Sequence, residues 1–180
     1  MNLIGKATDP KFWQETVRNK DCYNQFRYFA KKDWETYCEG KAVAAHADDD
    51  DIIIAADTVV AVDDRVLGKP HSRAEAVEML TMLSGRSHTV YTGVTVRKGE
   101  TVCTQHECTR VTFRPLTGAE IEAYVDSKEP MDKAGSYGIQ GLGCLLVQGI
   151  EGDYYNVMGL PVCRLGQMLR TIGFDVLSRE

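Results

Sequence analysis

The strongest constraint on the fold comes from residues 52–70, which read IIIAADTVVAVDDRVLGKP. Two runs of β-branched and apolar residues flank a short polar turn, a pattern typical of a β-hairpin. Asp57 interrupts the first run, and on an alternating strand it shares a face with Ile53, Ala55 and Val59. Burial among apolar side chains disfavours a charged carboxylate unless a cation or hydrogen-bond donors compensate. The sequence therefore predicts a partner for Asp57.

Two kinds of partner for Asp57 are within reach of the hairpin. Lys69 follows the second run, and a structural salt bridge between the two residues is one alternative. A divalent cation shared with a phosphate ligand is the other. Gly68 would let the backbone approach such a ligand, and Pro70 fixes the backbone conformation after Lys69. The hairpin alone leaves both alternatives open.

Two capping boxes indicate helices after the hairpin. Ser72 with Glu75, and Thr117 with Glu120, have the spacing of side chains that bond to the first turn of a helix. Strands and helices alternate without a regular strand–helix repeat. This mixture predicts an α/β (mixed α+β) layered domain and argues against a doubly wound parallel sheet.

The second half of the chain predicts further strands and a closing helix. Residues 88–97 and 101–114 alternate apolar and polar side chains and should pair across a turn, and residues 144–150 form another apolar run. Pro161 suits the first turn of the last helix, on which we expect Val162 to face inward with the other apolar side chains.

Composition excludes several classes of protein. A chain of 180 residues is of the size that one hydrophobic core stabilises. A net charge of −5 disfavours a surface that binds nucleic acid or an anionic membrane. No apolar run reaches the length of a membrane span, and the six cysteines show no Cys-x-x-Cys spacing. We therefore expect a cytoplasmic protein with reduced thiols.

Residues 1–40 differ in character from residues 41–180, and we treat them as a separate helical segment. They contain more than half of the aromatic side chains of the chain. Tyr23, Phe26 and Trp34 recur at helical spacing, which predicts an amphipathic helix. This helix either packs on the body of the protein or binds a partner.

The segment DKAGSYGIQG, residues 132–141, is a second candidate for ligand binding. Its small residues leave backbone N–H groups free to face a ligand, and Lys133 adds a positive charge. The amide of Gln140 can both donate and accept hydrogen bonds, which suits recognition of a nucleotide base. A surface loop with glycine turns is the alternative interpretation.

Four ordered blocks of sequence together resemble the Maf family of nucleoside triphosphate pyrophosphatases. The blocks are ADTVVAVDDRVLGKP, MLSGRSHTVYTGV, DKAGSYGIQG and GDYYNVMGLP, and the similarity runs from about Lys41 to the last helix. The resemblance implies an elongated mixed sheet flanked by helices, with a cleft between two lobes, often in homodimers. It also implies hydrolysis of a nucleoside triphosphate to the monophosphate and pyrophosphate with the help of Mg²⁺ or Mn²⁺.

The resemblance also implies roles for single residues. Asp57 matches the acidic residue that accepts a proton from the attacking water or holds the metal. Lys69 and Lys41 match lysines that contact the phosphates. Thr58 and Gln140 are similar to the residues of the subgroup that prefers dTTP and UTP, so we expect a pyrimidine nucleotide as the substrate.

The chain departs from the family pattern at its N-terminal end. Residues 1–38 contain no serine and no Ser-Pro-Arg-Arg sequence, whereas family members carry a Ser-x-Ser-Pro-Arg-Arg loop that faces the triphosphate. Loss of arginine contacts to phosphate would remove strong charge-assisted hydrogen bonds. The alternative to an active pyrophosphatase is therefore a catalytically impaired Maf-like protein that binds nucleotides or regulates a partner.

Overall fold

An antiparallel sheet forms the centre of the protein. The computed structural model describes residues 51–63 and 65–178. Within these residues the sheet has five strands: β1 (Ile52–Val62), β2 (Arg65–Leu67), β3 (Ser87–Lys98), β4 (Thr101–Phe113) and β5 (Val147–Glu151). They lie in the order β2-β1-β3-β4-β5, and each neighbouring pair is antiparallel. The hairpin predicted from residues 52–70 is confirmed as β1 and β2.

Helices pack around this sheet, which confirms the α/β (mixed α+β) class. The α-helices of the described residues are α1 (Arg73–Leu83), α2 (Gly118–Asp126), α3 (Tyr154–Met158) and α4 (Val162–Thr171). Three short 3-10 helices follow α2: Glu129–Asp132, Ala134–Ser136 and Gly141–Leu145. Among the helices of the described residues, none is long and apolar enough to cross a membrane.

The two predicted helix starts are confirmed. Ser72 caps α1, since its hydroxyl accepts a hydrogen bond from the Glu75 amide. Thr117 caps α2 in a full capping box, in which Glu120 also accepts a hydrogen bond from the Thr117 amide. These caps satisfy backbone N–H groups that the first turn of a helix leaves without partners.

The expectation that a strand begins at residue 144 is wrong. Residues 141–145 form a 3-10 helix, and β5 begins at Val147. The Leu142 and Gly143 amides donate hydrogen bonds to the carboxylate of Glu129, which draws this segment away from the sheet. The inward orientation of Val162 is also wrong, because its side chain is 43% exposed, whereas Leu165, Met168 and Leu169 are buried on α4.

Among the residues that the structure describes, two hydrophobic clusters lie along the sheet. The larger one joins α1 and α2 to one end of the strands, with Leu80, Val90 and Phe113 at its centre. The smaller one packs Met168 of α4 against Val94 at the other end. The space beside β1 between these clusters is where the candidate site lies.

Strand β1 is paired differently along its two edges. Along one edge it is paired with β3 over nearly its whole length. Along the other edge, only Val60–Val62 pair with β2, through Arg65–Leu67. In the described part of the chain, residues 52–59 are thus paired with β3 alone, so the outer edge of β1 borders the cavity described next.

Candidate active site

One open cavity beside β1 gathers most of the residues that the sequence singled out. Its volume is about 410 Å³. The predicted site residues that line it are Asp57, Thr58, Lys69, Lys133 and Gln140. The sixth predicted residue, Lys41, and the predicted helical segment 1–40 lie outside the described residues. The fold therefore brings β1, the turn after β2 and the glycine-rich segment to one place.

Asp57 enters the cavity from the middle of β1. In the antiparallel pairing its neighbour on β3 is Gly93, which carries no side chain that would cover the carboxylate. Asp57 is half-buried, and it shares the cavity wall with Thr58. The carboxylate that the sequence places among apolar residues thus faces an open space.

Lys69 reaches the same cavity from the turn after β2. Its side chain is exposed, whereas Pro70 behind it is buried. The carbonyl oxygen of Gly68 accepts a 2.9 Å hydrogen bond from the Gly135 amide. Lys69 is thus held between two fixed backbone positions while its ammonium group stays accessible to a ligand.

The glycine-rich segment adds a second lysine and a second carboxylate. Lys133 Nζ donates a 2.7 Å hydrogen bond to Oδ1 of Asp132, and both residues line the cavity. This hydrogen bond, with a smaller contribution from the charge of Lys69, lowers the pKa of Asp132 below its ordinary value. The two lysines therefore lie close to one carboxylate and give this side of the cavity positive charge suited to an anionic ligand.

Aromatic side chains support the wall behind this segment. Tyr137 lines the cavity, and its Oη lies 2.7 Å from Nε2 of buried His88. The rings of Tyr137, His88 and Phe113 meet edge to face, with centroids 4.7–5.3 Å apart. Burial lowers the pKa of His88 to about 4, so the imidazole is neutral at pH 7. These contacts fix the backbone on which Gly138 and Gln140 lie.

Glu129 fixes the far end of the same segment. Its carboxylate accepts hydrogen bonds from the Leu142 and Gly143 amides and from the hydroxyl of Tyr124. The Tyr124 hydroxyl in turn accepts a bond from the Gly138 amide. Gln140 lies between these attachment points, which hold its backbone in place while its side chain remains exposed.

Several residues of the cavity were not singled out by the sequence analysis. They are Asp132, Tyr137 and the end of α3 at Met158 and Gly159. Asp132 and Tyr137 lie within the segment DKAGSYGIQG, where an ion pair between neighbouring residues and a buried phenol give no signal of their own. Gly159 follows a five-residue helix, and only the tertiary fold places it beside Thr58.

The donor set of the cavity limits how a metal could bind. Among the described residues, no group of three or more histidine, cysteine or acidic side chains is arranged to hold a metal ion. Carboxylates such as Asp57 suit Mg²⁺ or Mn²⁺, and Mg²⁺ commonly binds through one or two carboxylates together with phosphate oxygens of a substrate. The described residues therefore fit a cation that arrives with a phosphate ligand and do not fit a permanent metal centre.

The fold and the site together define an α/β protein with an open cavity between two lysines and the strand that carries Asp57. The sequence profile of the Maf-like protein family matches residues 8–172. This match covers most of the chain, so the protein belongs to the Maf-like family. It also begins inside the segment 1–40 that the sequence analysis set apart.

Individual relatives are similar over most of their length. The chain is 53% identical over 135 residues to proteins named dTTP/UTP pyrophosphatase from Bacillus anthracis (strain CDC 684 / NRRL 3495) and Bacillus cereus (strain AH820). A protein of the same name from Bacillus thuringiensis subsp. konkukian (strain 97-27) has the same identity. Each alignment covers 75% of this chain and 71% of the relative.

Proposed function

We infer that this chain is a nucleoside triphosphate pyrophosphatase, which hydrolyses dTTP, UTP or modified nucleotides to the monophosphate and pyrophosphate. The observation that carries this proposal is the single cavity shared by Asp57, Lys69 and Lys133. Membership of the Maf-like family and similarity to proteins named dTTP/UTP pyrophosphatase support the same reaction.

In the proposed reaction, water attacks the α-phosphorus of the nucleotide. A bond forms between the water oxygen and phosphorus, and the bond from phosphorus to the oxygen that bridges the α and β phosphates breaks. Asp57 accepts the proton of the attacking water, and pyrophosphate leaves. Lys69 and Lys133 stabilise the negative charge of the phosphates, which is the main contribution that a protein makes to phosphoryl transfer. Lys41 is proposed to contact the phosphates as well.

The base is proposed to lie against Thr58 and Gln140. Both residues line the cavity and carry side chains that form hydrogen bonds. Between them they can contact the polar edge of a pyrimidine, which agrees with the names of the relatives.

A divalent cation, Mg²⁺ or Mn²⁺, is part of the proposal, with Asp57 as the protein ligand. When bound, such a cation neutralises phosphate charge and polarises the phosphorus–oxygen bonds. A cytoplasmic location and a homodimer suit an enzyme of nucleotide metabolism and are proposed with it.

A second candidate function is nucleotide binding without efficient turnover. It is favoured by the absence of a Ser-Pro-Arg-Arg sequence from residues 1–38. In that case the cavity would still bind a nucleoside triphosphate, because both lysines are present. Calorimetry with a non-hydrolysable UTP analogue, run beside the activity assay, separates binding from turnover.

Pyrophosphate release tests the proposed function directly. The substrates are dTTP, UTP, CTP, ATP and GTP, each with Mg²⁺ and with Mn²⁺. We expect release from dTTP and UTP, and we expect Asp57→Asn to lower kcat at least 100-fold, since removal of a general base or metal ligand costs on the order of 10²–10⁴. Unchanged activity in Asp57→Asn would remove the assigned role.

Asp63→Asn is the matched control for this substitution. Asp63 lies at the end of the same hairpin strand, where its carboxylate forms an exposed ion pair with Arg86 at 2.6 Å. Exposed ion pairs contribute little to stability. We expect Asp63→Asn to keep the wild-type rate within about twofold, so a loss in Asp57→Asn alone assigns the effect to the cavity.

A further inference from the structure

A chain of hydrogen bonds behind the cavity wall links Thr58 to the backbone of Asn156 through Thr92. Thr92 is fully buried on β3 and is the direct pairing partner of Thr58 on β1. Its Oγ1 lies 2.9 Å from the carbonyl oxygen of Asn156 and 2.9 Å from Oγ1 of Thr58. Thr92 thus stands between a backbone acceptor and a side chain of the cavity.

This geometry fixes the direction of both hydroxyl groups. A carbonyl oxygen can only accept, so the single hydroxyl proton of Thr92 is donated to Asn156. Thr92 therefore has only lone pairs to offer Thr58, and Thr58 must donate its own proton to Thr92. The hydroxyl of Thr58 has then no proton left for the cavity and presents only acceptor lone pairs there.

Thr58 is one of the residues that line the cavity, and it is only half-buried. Gly159 lies on the adjoining wall, where an added Cβ would stand 3.5 Å from Oγ1 of Thr58. The absence of a side chain at Gly159 therefore leaves room for a ligand atom to approach this oxygen.

We propose that Thr92 is a positioning residue that makes Thr58 a hydrogen-bond acceptor only, so that the cavity selects a pyrimidine ring with an N–H donor. The inference rests on the proposed function and deepens it. Uracil and thymine carry a ring imide N–H at N3, whereas N3 of cytosine is an acceptor. A fixed acceptor forms a hydrogen bond with the N3–H of uracil or thymine. It repels N3 of cytosine, because two lone pairs then face each other.

Gln140 cannot make this distinction by itself. Its side-chain amide carries an acceptor at one end and donors at the other, and rotation by 180° exchanges them. Gln140 is exposed, so its amide is free to turn toward whichever base is bound. The discrimination between an imide N–H and a ring nitrogen acceptor therefore depends on the group whose direction is fixed, which is Thr58.

Thr92→Val is the substitution that tests the relay. It keeps the shape of the side chain and removes the acceptor of the Thr58 proton. The Asn156 carbonyl keeps a partner, because it also accepts a 3.0 Å hydrogen bond from the Gly159 amide. The hydroxyl of Thr58 can then rotate and donate into the cavity. We expect the ratio of kcat/KM for UTP to that for CTP to fall about tenfold relative to wild type.

Thr95→Val is the matched control, and Thr92→Ser is the rescue. Thr95 is as buried as Thr92, lies on the same strand and bonds to Thr104 Oγ1 at 2.8 Å, but it does not line the cavity. We expect Thr95→Val to leave the UTP to CTP ratio at its wild-type value. Thr92→Ser retains the hydroxyl and should restore the ratio, which loss of packing alone does not explain.

A nucleotide with a methyl group on N3 identifies the ligand atom. We expect 3-methyluridine triphosphate to be turned over at least tenfold less efficiently than UTP by the wild type, because the methyl group removes the donor. Equal turnover of the two nucleotides overturns the proposal. An unchanged UTP to CTP ratio in folded Thr92→Val also overturns it, and if that variant does not fold, the methylated nucleotide decides.

Binding of α,β-methylene UTP and CTP separates this inference from the proposed activity. Preference for the UTP analogue without pyrophosphate release contradicts the activity and supports the selection by Thr58. Hydrolysis of UTP and CTP with equal kcat/KM supports the activity and contradicts the selection. Binding of neither analogue overturns both.

Discussion

The amide of Gly135 donates a 2.9 Å hydrogen bond to the carbonyl oxygen of Gly68. This bond joins the turn that carries Lys69 to the segment that carries Lys133, so the two lysines approach the cavity from adjacent positions. Gly135 adopts a φ of +68°, and a Cβ added there would lie 2.9 Å from Cγ2 of Val60. The close contact between the backbone of Gly135 and Val60 of β1 thus sets the separation of the charges of Lys69 and Lys133.

Gly135→Ala should disturb this arrangement. The added methyl group must push against Val60, and an alanine at positive φ is strained. We expect the free energy of unfolding to fall by about 1–3 kcal/mol, and KM for UTP to rise because Lys69 and Lys133 move apart. Urea unfolding and steady-state kinetics measure the two effects.

Gly118→Ala is the control for that substitution. Gly118 is exposed in the first turn of α2, and a Cβ there would meet no atom within 4 Å. Alanine has the higher helix propensity, so we expect this variant to be as stable as wild type or more stable. Equal destabilisation by both substitutions would contradict the role given to the Gly68–Gly135 contact.

Removal of either lysine charge should weaken the handling of phosphate. Lys69→Met and Lys133→Met keep the apolar part of the side chain and remove a hydrogen bond to a charged group, which contributes about 1.5–3 kcal/mol. We therefore expect kcat/KM for UTP to fall roughly 10- to 100-fold in each variant. The fall should be larger for Lys133→Met, because Asp132 then faces the phosphates without its 2.7 Å partner.

Lys98→Met serves as the control for the loss of charge. Lys98 is the last residue of β3 and pairs with Thr101 at the turn of the β3–β4 hairpin. It is not among the residues that line the cavity. Its replacement changes the net charge by the same amount. A larger fall in kcat/KM for Lys69→Met than for Lys98→Met would indicate a local contact of Lys69 with the phosphates. Equal falls in the two variants would indicate a general electrostatic effect and contradict the assignment.

The local parts of this site were predictable from the sequence, whereas their assembly was not. The hairpin with Asp57 and the caps at Ser72 and Thr117 follow from patterns that involve only neighbouring residues. The contact between Gly68 and Gly135 joins segments far apart in the chain, and no periodicity reports it. Only the resemblance to a family placed the two segments in one site.

The wrong expectations have local physical causes. An apolar run at residues 144–150 suggests a strand by composition, but a carboxylate elsewhere, that of Glu129, bonds to the amides just before it and holds them in a 3-10 turn. On α4, Val162 has the helical spacing of the buried Leu165 and Leu169, but it lies in the first turn of the helix. The cluster around Val94 buries Leu165, Met168 and Leu169 and leaves Val162 exposed.

Burial of His88 makes stability depend on pH. Its pKa in the folded protein is about 4, below the 6.5 of an exposed histidine, because burial disfavours the charged ring. The unfolded chain therefore binds the proton first as the pH falls, and the stability present above pH 6.5 is lost progressively toward pH 4. From pH 7 to pH 5 we expect a loss of about 2 kcal/mol, measured by urea unfolding.

The double variant His88→Phe/Tyr137→Phe should remove most of this pH dependence. It replaces both partners of the 2.7 Å hydrogen bond, so neither polar group is left buried alone. His71→Gln is the control, because the His71 side chain is exposed. Its loss should leave the slope of the unfolding free energy against pH unchanged. A wild-type slope in the double variant would show that other groups titrate in this range.

The protonation of Glu129 should make the order of residues 138–143, the segment around Gln140, depend on pH. Burial raises the pKa of its carboxyl, but the hydrogen bonds from Gly143, Leu142 and Tyr124 outweigh burial and lower the pKa below 4.5. A carboxyl whose pKa is lower in the folded than in the unfolded protein stabilises the fold when the pH is above its unfolded pKa. This stabilisation is lost as the pH falls through the folded pKa. Acidification below pH 4.5 should therefore release the segment around Gln140.

Glu129→Gln should mimic this release at neutral pH. The amide replaces one acceptor oxygen by a donor, so the Leu142 or the Gly143 N–H loses its partner. We expect KM for UTP to rise several-fold and amide hydrogen exchange at residues 138–143 to accelerate, with kcat changed less because Asp57 and Lys69 lie on other segments. Glu78→Gln, at an exposed 3.8 Å ion pair with Arg65, should change neither quantity. Unaltered exchange at residues 138–143 in Glu129→Gln would show that this carboxylate does not hold the segment in place.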